Sequence, residues 1–173
     1  MNSPGSSAAE ERTTGARAPA TRRLTKFLAL SREDRVLLLT LWPLIVLVAA
    51  LLRLLGYRRA VRLLSRRSLT SPVQDPVPDD SMVYALRLGR LARIAGRYAP
   101  TNGSCLRQSL LVWWILGRKG VPAELRIGVQ TAGGFAAHAW VELGGLPVND
   151  APDVAERFVP FDGCLSARLV SSL

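Results

Sequence analysis

The chain has 173 residues, room for one domain of ordinary size plus a tail, and 49% of them are apolar, enough to build a core. Lys and Arg number 23 against 13 Asp and Glu; the net charge of +10 suits acidic partners, although an Arg-rich composition serving solubility alone gives the same balance. A single His and two Cys without a CxxC pair exclude a His-rich metal site and speak against zinc, so no metal or cofactor is expected.

Residues 1–22 are rich in Ser, Gly, Ala, Thr and charge, with little to bury, and are expected to be a disordered tail. They lack the apolar run of a signal peptide, which points to a cytoplasmic, reducing location. An apolar and basic helical region is expected over 23–70. Ser31 and Asp34 form a capping pattern before the run Val36–Leu52. That run is at the short end of what spans a bilayer (about 17–25 residues), Pro43 interrupts it, and both flanks are basic. A helix packed on the core, or lying on a membrane surface, is therefore favoured over a span. Arg58, Arg59, Arg62 and Arg66 then share one face of a basic amphipathic segment, whose plainest role is a solvated surface.

Pro72, Pro76 and Pro78 mark a linker over 71–80. A helix capped by Asp80 or Ser81 should run to about Tyr98, with Val83, Leu86, Ile94 and Ala95 on its packed face. After Pro100 and the turn Thr101–Ser104, a second helix is expected from Cys105 to about Lys119, stopped by Gly120 and Pro122. Alternation in Glu124–Val129 and Phe135–Leu143, joined by Gly133-Gly134, predicts a hairpin, and Leu146–Asp150 a short third strand after Gly144-Gly145. The segment 81–173 thus reads as an α+β core, a helix packed on a small antiparallel sheet.

The chemistry concentrates in that core. A thiol attacks as its thiolate, and a helix N-terminus lowers its pKa; Cys105 stands at such a start. His138 is the only histidine and so the only good base, on a strand face with Ala136, Trp140 and Glu142. A sheet face covered by the Cys105 helix would bring the two together. Asp150, twelve residues after His138, is placed to orient the imidazole; Asn149 is the fallback, Asp153 a weaker third choice, and alternation lets only one of Asn149 and Asp150 serve. Singly, each residue also suits a structural role; in this order and on these elements they form a triad pattern. Asn102 and Ser104 are candidate oxyanion donors by position, and Cys164 follows a turn and is read as structural.

The segment CLRQSLLVWWILGRKGVPAELRIGVQ, followed by FAAHAWVELGGLPVND, closely resembles the transglutaminase-like cysteine peptidases of lasso-peptide biosynthesis, the B-type maturation proteins. The resemblance covers roughly Pro100–Asp150 and implies a papain/transglutaminase-like fold with Cys105, His138 and Asp150 as the catalytic triad. It implies removal of the leader from a precursor peptide through an acyl-enzyme. With no pattern for a winged-helix recognition domain before Val36, the split form is expected. A separate leader-recognition protein would then deliver the precursor, and an ATP-dependent lasso cyclase would close the freed core. Two other readings remain: an acyl transferase of the same fold, and a non-catalytic membrane-associated scaffold. Nucleic acid is not expected as a partner, because the Arg clusters lack interleaved aromatics or a binding motif.

Overall fold

The computed structural model describes residues 27–65, 78–99, 104–130 and 135–161. The expected tail, most of the Pro-rich linker, Arg66, Asn102, the Gly133-Gly134 turn and Cys164 lie outside these residues.

Helix α1 spans Arg32–Ser65 as two helical segments that meet at Gly56, whose φ of 73° is open to glycine and breaks the helical path. Pro43 lies inside it without ending it. Ser31 caps the start, its Oγ accepting the Asp34 N–H at 3.0 Å. Asp34 is then clamped from the next helix by Arg87 Nε at 2.5 Å and Arg90 Nη2 at 3.2 Å. The Arg87 contact holds the Asp34 carboxyl below the usual carboxylate range.

Helix α2 is Asp79–Tyr98 and helix α3 Cys105–Arg118. The α2 start differs from expectation. Pro78 occupies the N-cap, with Asp79 and Asp80 in the first turn where the helix dipole favours them. Its packed face differs too: Ala85, Leu88, Leu91, Ala92 and Ala95 are buried, whereas Val83 and Leu86 are exposed. Small residues decide this. A methyl group at Gly89 would overlap the Val148 carbonyl oxygen and stand 2.9 Å from Asn149 Cα, so only glycine lets α2 lie directly on that segment. Helix α3 stops at the expected place, with Gly120 at φ 74° and the Val121 N–H returning to the Leu116 carbonyl at 3.0 Å.

The sheet has four antiparallel strands in the order β3-β2-β1-β4: β1 Glu124–Gln130, β2 Ala136–Leu143, β3 Leu146–Pro147 and β4 Val159–Pro160. Gly144 and Gly145, both at positive φ, make the two-residue turn between β2 and β3. The third strand is shorter than expected, because 148–150 bend away after Pro147. The fourth, reached through the short helix α4 (Val154–Arg157), has no sequence pattern long enough to announce it.

One hydrophobic cluster joins all the layers. Leu41, Ile45 and Val48 of α1 pack with Leu88 and Leu91 of α2, Leu110, Leu111 and Leu116 of α3, and Leu125, Val141 and Leu143 of the sheet. The apolar run of α1 is thus half inside the core and half outside it. By length and composition α1 is also long and apolar enough to cross a membrane.

Candidate active site

Residues of odd number on β2 face the helices, and His138 lies on the other face with Trp140 and Glu142. This corrects the expectation that α3 covers the His138 face. The thiol and the imidazole meet instead at the edge of β2. Strand β3 pairs only with Glu142 and Leu143, and the Val148 N–H just beyond it reaches the Val141 carbonyl at 2.9 Å, which leaves the Val141 N–H and the Ala139 backbone without a strand partner on that side. Side chains from α3 and from the 148–150 bend take the place of a strand. Ser109 Oγ donates to the Ala139 carbonyl at 2.9 Å, and the Ala139 N–H on the same edge favours the charged form of the Cys105 sulfur. The Val141 N–H donates to Asn149 Oδ1 at 2.7 Å, and Asn149 Nδ2 donates to Ser109 Oγ at 2.8 Å. Buried backbone polar groups must be paired, and this network pairs them.

The geometry around the thiol follows. Cys105 and Ser109 are one helical turn apart on the same face of α3, so the bond that seats Ser109 also seats the sulfur. Cys105 hydrogen-bonds the His138 ring. His138 Nε2 bonds Asp150 Oδ2 at 2.5 Å, which leaves Nδ1 for the thiol. The His138 and Asp150 side chains retain 24% and 21% of their exposure, so the pair is open to a substrate yet largely shielded from water. Asp150 Oδ1 also accepts the Ala151 N–H at 2.8 Å, fixing the carboxylate plane.

The electrostatics are those of a coupled pair. The His138 bond lowers the Cys105 pKa against the upward push of burial, and the N–H groups of Ala139 and Leu106 help. The Leu106 donor belongs to the first turn of α3, where helix N–H groups have no intrahelical partner. The same thiolate contact raises His138 to about 9, against the opposing effect of burial, with Asp150 adding to the rise. These contacts favour the thiolate–imidazolium form of the pair over the neutral one.

Of the predicted residues, Cys105, His138 and Asp150 are brought together. Asn149 turns inward, 5% exposed, and does structural work beside them. Asp153 pairs with Arg157 at 3.1 Å and stays apart. Ser104 is the N-cap of α3 but makes no side-chain cap bond. Sequence reasoning missed Ser109, although a lone Ser four residues after Cys105 inside an apolar helix was a signal. It also missed Phe158, whose ring stacks on His138 at 4.8 Å, and the Glu142 carboxylate that holds Trp140 Nε1 at 2.7 Å and Arg126 Nε at 2.9 Å. Gly128 opens the floor beneath these rings, because a methyl there would stand 2.9 Å from Trp140 Cη2. A groove of about 570 Å³ runs between α1 and the start of α3; its lining includes Val46, Ala49, Arg53, Ser104 and Arg107, so it reaches the residue before Cys105. No group of three or more His, Cys, Asp or Glu that could hold a metal occurs among the described residues.

The arrangement can activate a thiol, protonate a leaving group and fix the base, which is the equipment of acyl chemistry through a thioester. Comparison with known proteins agrees with the fold. The chain is 42% identical over 56 residues to the microcin J25-processing protein McjB of Escherichia coli, a match covering 32% of this chain and 26% of that protein. No solved structure matches. The family model of the transglutaminase-like superfamily matches residues 44–161, more than half of the chain, taking in most of α1, all of α2 and α3, and the sheet. The chain belongs to the transglutaminase-like superfamily.

Proposed function

We propose that this protein is a cysteine peptidase that removes the leader from a ribosomally made lasso-peptide precursor. The observation that carries the reading is the Cys105–His138–Asp150 relay at the start of α3. The likeness to a microcin-processing protein supports the substrate class, as does the resemblance of the core segment to the B-type maturation proteins. The protein would work on the cytoplasmic side, with a leader-recognition protein presenting the precursor and an ATP-dependent cyclase taking the product.

In this reading the Cys105 thiolate attacks the carbonyl carbon at the leader–core junction. The resulting oxyanion is favoured by N–H groups at the start of α3. As the C–N bond breaks, the His138 imidazolium gives its proton to the departing core amine, leaving a leader thioester on Cys105. Neutral His138 then takes a proton from water. The water oxygen attacks the thioester, the thiolate leaves, and the leader departs as a carboxylic acid that loses its remaining proton to solvent, with the imidazolium restored. Asp150 holds the ring in one orientation throughout. The groove bordered by Arg53 and Arg107 offers an apolar bed with positive charge for the peptide beside the junction.

The test is mass spectrometry of the precursor after incubation with the recognition protein and either wild type or Cys105→Ala. Cleavage at one bond by wild type alone supports the reading. Equal cleavage by both removes Cys105 from the chemistry. An amine-capped leader formed in the presence of an added amine identifies a transferase. Absence of cleavage by either, with the precursor bound, points to a non-catalytic scaffold.

A further inference from the structure

Helix α1 is apolar on both sides. Its inner side carries Leu41, Ile45 and Val48, all within the core. Its outer side carries Val36, Leu39, Leu47 and Leu54, which are 59%, 63%, 52% and 80% exposed. At helical spacing these four and Pro43 fall on one stripe, opposite the buried one. From Val36 to Leu54 the stripe is about 27 Å long at 1.5 Å per residue. A surface helix ordinarily turns charge outward; here no charged residue stands between Arg35 and Arg53.

The few polar groups near the stripe are satisfied from within. Thr40 Oγ1 donates to the Val36 carbonyl at 2.9 Å, and Trp42 Nε1 donates to the Tyr98 carbonyl at 3.1 Å. Protein interfaces carry about one hydrogen bond per 100–200 Å², whereas lipid chains require none. The stripe therefore matches hydrocarbon better than a protein partner.

Its C-terminal end matches phosphate. Seven arginines and no acid lie between Asp34 and Asp75. Arg58, Arg59 and Arg62 are exposed and follow the stripe just past the break at Gly56. Arginine pairs with phosphate through a fork of donors, and its stem reaches from an apolar surface to a headgroup. A span is not compatible with the packing, since Asp34 at one end of the run is clamped to Arg87 and Arg90 and the inner side is shared with α2 and α3.

We infer that α1 docks the protein in the plane of an anionic membrane surface, with the Val36–Leu54 stripe in the acyl boundary and Arg58, Arg59 and Arg62 on lipid phosphates. This docking is independent of the peptidase reading, and its readout involves no cleavage.

The test is flotation of the full chain with vesicles of phosphatidylglycerol and phosphatidylcholine, and with phosphatidylcholine alone. The protein should float with the anionic vesicles, detach as salt rises, and bind phosphatidylcholine at least about tenfold more weakly. Leu39→Glu with Leu47→Glu, both at exposed positions, should abolish flotation while the far-ultraviolet circular dichroism is unchanged. Arg58→Ala, Arg59→Ala and Arg62→Ala together should weaken it about 100-fold, at roughly one kcal/mol per arginine. Carbonate washing should release the protein from membranes. Failure of wild type to float overturns the inference, whether the protein is then a monomer, its stripe covered by another part of the chain, or a dimer that Leu47→Glu separates. Retention through carbonate overturns it in favour of a span.

Discussion

Asn149 Nδ2 donates to Ser109 Oγ at 2.8 Å, and this one bond ties the residue before Asp150 to the residue one turn after Cys105. Through Ser109 it continues to Ala139, the residue after His138. Each member of the proposed triad therefore has a neighbour in a single buried network, which sets the three at fixed spacing although they come from three elements.

Asn149→Ala should accordingly act on stability and activity together. It strips the Val141 N–H of its acceptor and Ser109 Oγ of one donor in a buried place, an expected loss of about 1–3 kcal/mol. Urea unfolding reads that loss. Leader cleavage by the fraction still folded should fall as well, chiefly in kcat, because Asp150 loses its anchor. Unchanged stability would mean that water or a rearranged side chain replaces the amide.

Asp150→Asn should lower the pKa of His138. Its carboxylate adds to the rise that brings His138 to about 9, so removing the charge moves the alkaline limb of activity to lower pH. The expected cost in kcat is about 10- to 1,000-fold, through lost orientation of the ring. Because the chain has one histidine, a single imidazole signal in a nuclear magnetic resonance titration reports the shift directly.

The pH dependence of stability has a definite sign. His138 is raised above its unfolded value near 6.5, so its contribution is whole below about 6.5 and is lost as pH rises toward about 9. Cys105 is lowered from its ordinary value of 9.0, so its contribution is present above that value and is lost as pH falls through the folded pKa. The two are one interaction seen from either partner. His138→Ala should raise the Cys105 pKa, and alkylation by iodoacetamide at pH 6.5 should slow markedly in a Cys164→Ser background.

Gly89→Ala should damage the site from a distance. The added methyl meets the Val148 carbonyl and the Asn149 backbone, which carry Asp150, and relief requires α2 to move. The expected destabilisation is about 1–3 kcal/mol or more, seen as a lower melting temperature with reduced cleavage.

Much of this was legible in the sequence because it rests on local rules. Cys105 follows a turn and opens an apolar helix; His138 sits in an alternating strand; Gly144-Gly145 dictates the turn that returns the chain toward Asp150. What escaped depends on how elements meet. Alternation places His138 on one face of β2 but does not say which face α3 covers, and the thiol reaches it at an edge that only the full sheet defines. Phe158 and β4 come from a short segment without periodicity, and α2 packs through Leu88 and Leu91 on either side of Gly89 rather than through Val83 and Leu86.

The most direct test of the central claim is to trap the acyl-enzyme. Precursor, recognition protein and enzyme are mixed, quenched in acid within the first turnover, and digested for mass spectrometry. The account predicts the leader joined to the Cys105 peptide as a thioester, its mass increased by that of the leader less one water, and no adduct in Cys105→Ala. Full cleavage with no mass on Cys105, and undiminished cleavage by Cys105→Ala, would contradict it.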